Sequence, residues 1–200
     1  ILSKGNSFSL SAQDGDIDKY KVSGSQVIGV RAIKDSKVGL SYSESLDENA
    51  LKSIAESAVE NAKNSEVNPH EKISVSNEQY NYPSEYRPED ISIEEKIDFA
   101  LKLEEEVKER DLRVSAVPYN GYTEANTSMY YLNSNNVFGF KSDYYQYCYT
   151  SALLEDNGKT SMHSHSEVGR KIADLNYNKC INESLEHAGQ WLNAEVLKTD

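Results

Sequence analysis

Cysteine, proline and long apolar runs are all scarce in this chain. Its 200 residues include 2 Cys, 4 Pro, 2 Met and 1 Trp. Two cysteines, Cys148 and Cys180, with no CxxC spacing and no close pairing, exclude the disulfide framework of small secreted domains and leave a single bridge between them open. No stretch approaches the roughly 18–20 apolar residues of a membrane span, and no charged-then-apolar leader opens the sequence. These absences predict a cytoplasmic protein. Basic side chains are also in short supply: 21 Lys and Arg stand against 33 Asp and Glu, a formal net charge of −12. Affinity for phosphate backbones needs clustered cations that release counterions, so the charge argues against a general nucleic-acid binder and for a cationic or neutral partner.

What is present suffices for a core. Hydrophobic residues make up 38% of the chain and 14 residues are Tyr, a composition outside the disordered class. The length suits one large or two small domains. The chain opens on Ile1 and closes on "EVLKTD" directly after a helical pattern, which reads as a piece of a longer chain.

The first 45 residues alternate Ser, Val, Tyr and Ile between turn signals at Asp14-Gly15-Asp16 and Asp35-Ser36, the pattern of antiparallel hairpins. In "VIGVRAI", Ile28, Val30 and Ala32 share one face and Val27, Gly29, Arg31 and Ile33 the other. "SLDENALKSIAESAVENAKNS" is a helix, with Ser45 and Glu48 spaced as a capping box and Leu51, Ile54, Ala55, Ala58, Val59 and Ala62 on one face. Its small alanines predict close packing on a sheet. Asn68-Pro69 ends the unit, and residues 71–91 read as a connecting segment. The expected fold is α+β, in two units: residues 1–70, and 92–200 beyond the connection.

The second unit opens with the helix "SIEEKIDFALKLEEEVKERD", capped by Ser92 with Glu95 and striped by Ile93, Ile97, Ala100, Leu101 and Val107. Residues 71–111 hold 13 acidic and 6 basic side chains. That excess reads first as a solvated face and second as a docking surface for a basic partner. Strands return from Val114, with turn signals at Asn120-Gly121, Asn133 to Asn136 and Asn157-Gly158. The last helix, "NYNKCINESLEHAGQWLNA", places Cys180, Ile181, Leu185, Ala188, Trp191 and Leu192 on one face.

The most metal-like set is His163, His165 and Glu167, at i, i+2 and i+4 of a strand and so on a single face. Residues on one strand splay, so the set reads first as a solvent face whose reverse, Met162, Ser164, Ser166 and Val168, meets the core. HExxH, HExxxH, GxSxG, P-loop and GxGxxG patterns are absent, and no catalytic or cofactor-binding residue is assigned. Cys148 lies in an aromatic strand and reads as a packed thiol rather than a nucleophile. His70 and His187 stand isolated. Tyr145, Tyr147 and Tyr149 share one strand face against Tyr144, Gln146 and Cys148 on the other, with Tyr130 and Tyr131 on the preceding strand. Cross-strand packing accounts for them first, a partner-contacting sheet second.

Two stretches carry a family resemblance. One is "GVRAIKDSKVGLSYSESLDENALKSIAESAVENAKNSEVNP": a strand into a Lys-Asp turn, a short strand, then an alanine-rich helix closed by Asn-Pro. The other is "YLNSNNVFGFKSDYYQYCYTSALLEDNGKTSMHSHSEVGRKIADLN": an Asn-Ser turn, a strand, an Asp-Asn-Gly hairpin, then Gly-Arg and Asp-Leu into a helix. In order and spacing these resemble the first and central domains of the TldD/PmbA family, the proteins described as modulators of DNA gyrase, and more closely its PmbA/TldE branch. One departure is Asn136, where the family has glycine; Asn tolerates positive φ, so the turn survives.

The resemblance implies a part in proteolysis of peptides or partly unfolded proteins. The family's zinc-binding HExxxH motif lies in a C-terminal domain beyond this sequence, so zinc is expected there or in a partner subunit. This chain is then expected to supply recognition and assembly, without catalysis of its own. It implies a homodimer, or a heterodimer with a sister subunit; the charge and the lack of a long apolar run argue against nucleic acid and membrane as partners. The alternatives are a non-catalytic scaffolding module and a metal enzyme using His163, His165 and Glu167 directly.

Overall fold

The computed structural model describes residues 1–76, 78–192 and 194. Eight strands and three α-helices follow one another as β1 (Leu2–Gln13), β2 (Asp16–Lys34), β3 (Lys37–Ser43), α1 (Glu48–Lys63), β4 (Tyr80–Tyr82), α2 (Ile93–Arg110), β5 (Val114–Ala116), β6 (Asn120–Leu132), β7 (Phe138–Asp156), β8 (Lys159–Gly169) and α3 (Tyr177–Leu192). The fold is α+β. The closing "EVLKTD" lies outside the described residues. No described helix is long and apolar enough to cross a membrane.

Contacts divide the chain into two compact units. Unit 1 holds residues 1–6, 23–87 and 126–143, and unit 2 holds 7–22, 88–125 and 144–200. Each is assembled from separated stretches, whereas the sequence reading drew contiguous blocks. Four long strands, β1, β2, β6 and β7, give one part to each unit.

In unit 1 the strand order is β3-β2-β1-β6-β7-β4, which leaves β3 at an edge. Asp35 and Ser36 both take left-handed backbone, with φ of 52° and 58°. That is the two-residue turn whose twist matches a hairpin, and it pairs Lys34 with Lys37 and Arg31 with Leu40. Helix α1 covers one sheet face. A Cβ on Gly39 would fall on the Ala58 carbonyl oxygen and the Ala62 nitrogen, so only glycine lets this helix backbone sit on the strand. Ala58 and Ala62 are fully buried there, as the run of small residues predicts. The cap differs from expectation: Asp47, not Ser45, accepts from Ala50 N, at 2.9 Å, and Ser45 Oγ donates to Asp47. Asp47 stands immediately before the first helical residue, and its negative charge also favours the positive helix end.

Unit 2 packs α2 and α3 on one sheet face around Leu10, Leu103, Val107, Tyr122, Cys148 and Ile181. The Ser92–Glu95 capping box forms, with Glu95 N donating to Ser92 Oγ at 3.1 Å and Ser92 N to Glu95 Oε2 at 3.0 Å. Three sequence readings need correction. Ile93 is exposed, because Lys96, Leu103 and Glu104 share the buried stripe of α2 instead. Trp191 is 70% exposed, and Ser184 takes an inward position on α3, bonding the Thr150 carbonyl. Asn120-Gly121 opens strand β6 and makes no turn. Gly121 is needed because Leu10 O and the Tyr149 ring leave no space for a Cβ, and Asn120 Nδ2 donates to Ala100 O at 2.8 Å. Asn136 has φ 59°, the left-handed turn anticipated for it.

Candidate functional site

Strand β8 places His163, His165 and Glu167 on one face but does not gather them into one cluster. His165 Nε2 meets Glu167 Oε1 at 2.8 Å, and Lys179 Nζ meets the same oxygen at 2.8 Å. His163 instead packs tilted against His187 of α3, with ring centroids 4.7 Å apart, and His187 reaches Glu183 at 3.1 Å. Hydrogen bonds from Lys179, and from His165, hold the Glu167 carboxyl below its ordinary range. Among the described residues no group of three or more His, Cys, Asp and Glu side chains is arranged to hold a metal. The two faces are also reversed from expectation. The histidine face lies under α3, whereas Met162 is exposed and Val168 is 66% exposed. The chain returns closely at Gly169, where a Cβ would meet Asp174 and Lys171, and α3 is held to this side of the strand by Ser161 Oγ, which donates to Ala188 O at 2.7 Å.

Cys148 and Cys180 are both fully buried, free thiols. Contact with Cys148, together with burial, pushes the Cys180 thiol well up, and Cys180 Sγ donates to His165 O at 3.3 Å. A buried, protonated thiol is inert as a nucleophile.

The inner face of β7 carries a closed polar network. Tyr122 Oη donates to Gln146 Oε1 at 2.8 Å, and Gln146 Nε2 donates to Glu89 Oε2 at 2.7 Å and to Tyr144 Oη at 2.8 Å. Tyr144 Oη lies 3.3 Å from Glu124 Oε2, and Lys96 Nζ closes on Glu124 Oε1 at 2.7 Å. Burial first, then Glu124, push both phenols above the usual tyrosine range. Each polar atom finds a partner within the set, so the network specifies packing rather than offering an open valence. On the outer face Tyr145, Tyr147 and Tyr149 form a ladder with ring centroids 6.4 and 6.1 Å apart. Across the Asn133–Asn136 turn, the aromatic pair is Tyr130 with Phe140, 4.8 Å apart.

A groove of about 940 Å³ lies in unit 1. Its floor is the sheet face opposite α1: Gly29, Arg31 and Ile33 of β2 beside Leu40 and Tyr42 of β3, paired Arg31 with Leu40 and Gly29 with Tyr42. Leu40 is 64% and Tyr42 76% exposed. Ile73 and residues Tyr131–Ser134 close its far side. Antiparallel alternation turns the main chain of Leu40 and Tyr42 away from β2, and Leu40 O accepts there from Asn61 Nδ2 at 2.8 Å. At the polar end Asn133 Nδ2 donates to Ser74 O at 2.9 Å and to Tyr131 Oη at 3.0 Å, while Ser74 Oγ lies 3.2 Å from Tyr131 Oη. Those two hydrogen bonds, from Ser74 and Asn133, lower the Tyr131 pKa. Sequence reading missed this groove because its residues come from several separate stretches of the chain. The one available signal was Gly29, set among the β-branched Val27, Ile28 and Val30.

Two family descriptions match the chain: PmbA/TldA metallopeptidase domain 1 over residues 1–62, and PmbA/TldA metallopeptidase central domain over residues 86–190. The chain belongs to the PmbA/TldD family. A search of curated proteins finds no match. Among solved structures, a candidate modulator of a DNA gyrase from Thermotoga maritima is similar at 21% identity and a TM-score of 0.72, over 100% of this chain and 45% of that one. TldE from Thermococcus kodakarensis is similar at 17% and 0.70, over 95% and 43%. A second candidate modulator of DNA gyrase, from Bacteroides thetaiotaomicron, is similar at 15% and 0.81, over 98% and 46%. The likeness is one of fold, and the chain spans less than half the length of these relatives.

Proposed function

We propose that this chain is the substrate-holding and assembly part of a PmbA/TldD-type proteolytic system, acting on peptides or partly unfolded proteins in the cytoplasm. The observation that carries the reading is the unit 1 groove, with an apolar floor, an edge strand along one side and hydrogen-bonding groups at one end. Its volume is near the top of the roughly 300–1,000 Å³ of ligand pockets. An extended chain could lay alternate side chains on Leu40 and Tyr42 and pair its backbone with the outer edge of β3 at Tyr42, beyond the Leu40 carbonyl that Asn61 holds. Cleavage belongs to zinc held elsewhere in a longer polypeptide or in a sister subunit, where a bound metal polarises the scissile carbonyl and activates water. Dimerisation, with itself or with that sister, brings the two functions together.

The experiment is binding of an unstructured apolar peptide, followed by fluorescence anisotropy. Binding lost in Leu40→Asp, with peptide left uncut when zinc is added, supports the reading. Hydrolysis by this chain with zinc, or binding indifferent to Leu40→Asp, overturns it.

A further inference from the structure

The polar end of the groove is built unlike the rest of it. Among the described lining residues Arg31 carries the one charged side chain, in a protein of net charge −12. Its partner is Glu71, an ion pair with both side chains a third or more exposed. Such a pair is weak, and a guanidinium with five N–H groups keeps donors for a second carboxylate.

Tyr131 supplies a further donor. A phenol has one proton and two lone pairs. One lone pair is filled by the Asn133 amide. Ser74 Oγ lies 3.2 Å from Tyr131 Oη, where either hydroxyl can donate; in the arrangement in which serine donates, its proton fills the second lone pair. The Tyr131 proton is then uncommitted, on a residue that lines the same groove as Arg31. An uncommitted O–H and a shareable guanidinium at one end of an apolar trough match an anionic acceptor at the end of an apolar ligand.

We infer that the Tyr131–Arg31 end of the groove captures the terminal carboxylate of an apolar, extended peptide. The inference rests on the peptide-holding function proposed above. A terminal carboxylate fits better than an acidic side chain for two reasons. The apolar floor of Ile33, Leu40 and Tyr42 serves side chains flanking the anchor, and each further acidic group on the ligand would meet the negative field of the protein. The ligand class is therefore chain ends with apolar residues before them, such as fragments released by a preceding cleavage.

The test compares three N-acetylated apolar pentapeptides by calorimetry: one with a free C-terminus, its C-terminal amide, and an amide carrying one internal Glu. The free acid should bind about tenfold or more tightly than the amide, the scale of a charge-assisted hydrogen bond. Tyr131→Phe and Arg31→Gln should bring the acid down to the amide's affinity and leave the amide unchanged. Glu71→Gln, by releasing Arg31, should tighten the acid alone. Acid and amide binding equally, both lost in Gly29→Val, would overturn carboxylate capture and leave the groove as a peptide site. The Glu-containing amide matching the acid would overturn the terminal source. No binding of any peptide would remove the peptide-holding function itself. Matching melting curves for the variants separate these outcomes from misfolding.

Discussion

Both units set helices on one face of their sheet and leave the other face without a helix, yet they finish that open face differently. In unit 2 it is filled from within: Tyr145, Tyr147 and Tyr149 stack along β7, and Tyr149 lies across Gly121. In unit 1 the open face keeps Gly29 opposite Tyr42, and a Cβ built there would meet nothing nearer than Ser41 O at 4.0 Å. Large side chains next to a glycine make a closed surface in one unit, and an unfilled glycine makes a groove in the other. A glycine's meaning thus depends on what faces it, and unit 1 shows this twice, since Gly39, on its covered face, is as crowded as Gly29 is open.

The largest effect should come from breaking the covered face. Gly39→Val drives a side chain into the α1 backbone at Ala58 and Ala62, and backbone cannot rotate aside as a side chain can. The expected loss is about 3 kcal/mol or more, at or above the usual overpacking range, read as a lowered urea midpoint. Gly29→Ala, on the other face of the same sheet, should change that midpoint by less than about 0.5 kcal/mol. Equal losses at the two positions would dissolve the contrast between the faces.

Next in size is the ladder. Tyr149→Ala strips the cover from Gly121 and removes one ring of the stack, for an expected loss of about 2 kcal/mol; the ring is half-buried, so this is below the roughly 3–5 kcal/mol of a buried aromatic. Tyr42→Ala in unit 1, whose ring is mostly exposed, should cost less than about 0.5 kcal/mol of stability and weaken peptide binding. Urea denaturation beside peptide titration separates these two uses of tyrosine. A ladder variant as stable as wild type would mean that the tyrosines of unit 2 also serve a partner.

Much of this architecture is legible in the chain because turn chemistry and small residues are local signals. Asp14-Gly15, Asp35-Ser36 and Asn157-Gly158 all take left-handed backbone, and the alanines of α1 announce close contact. Where the reading failed, a nonlocal partner decided. Strand periodicity separates the faces of β8 but cannot say which one α3 will cover, so the histidine face was assigned to solvent. Glu104 resembles any acidic residue of α2, yet its carboxylate is buried and accepts from Asp14 N at 2.7 Å and Gly15 N at 3.1 Å. Removing it by Glu104→Ala leaves two amides of the β1–β2 turn without their acceptor. The expected loss is about 1–3 kcal/mol, seen as faster amide exchange at Asp14 and Gly15 as well as a lower urea midpoint.

The smallest effect sharpens the view of β8 as a strand lying beneath a helix. Burial under α3, with the adjacent His187 and His165 rings, holds the His163 pKa below its ordinary 6.5, and Glu183 opposes that only in part. A depressed folded pKa means that the unfolded chain takes up the proton first. His163 therefore contributes stability above pH 6.5, and that contribution is lost as pH falls through 6.5 toward the lower folded value. The slope must stay under about 1.4 kcal/mol per pH unit, the limit for a single proton. Urea denaturation between pH 7.5 and about 5 should show stability declining in wild type and a shallower decline in His163→Gln. Identical slopes for wild type and His163→Gln would mean that His163 titrates as it does in water, and that α3 does not cover this face of the strand in solution.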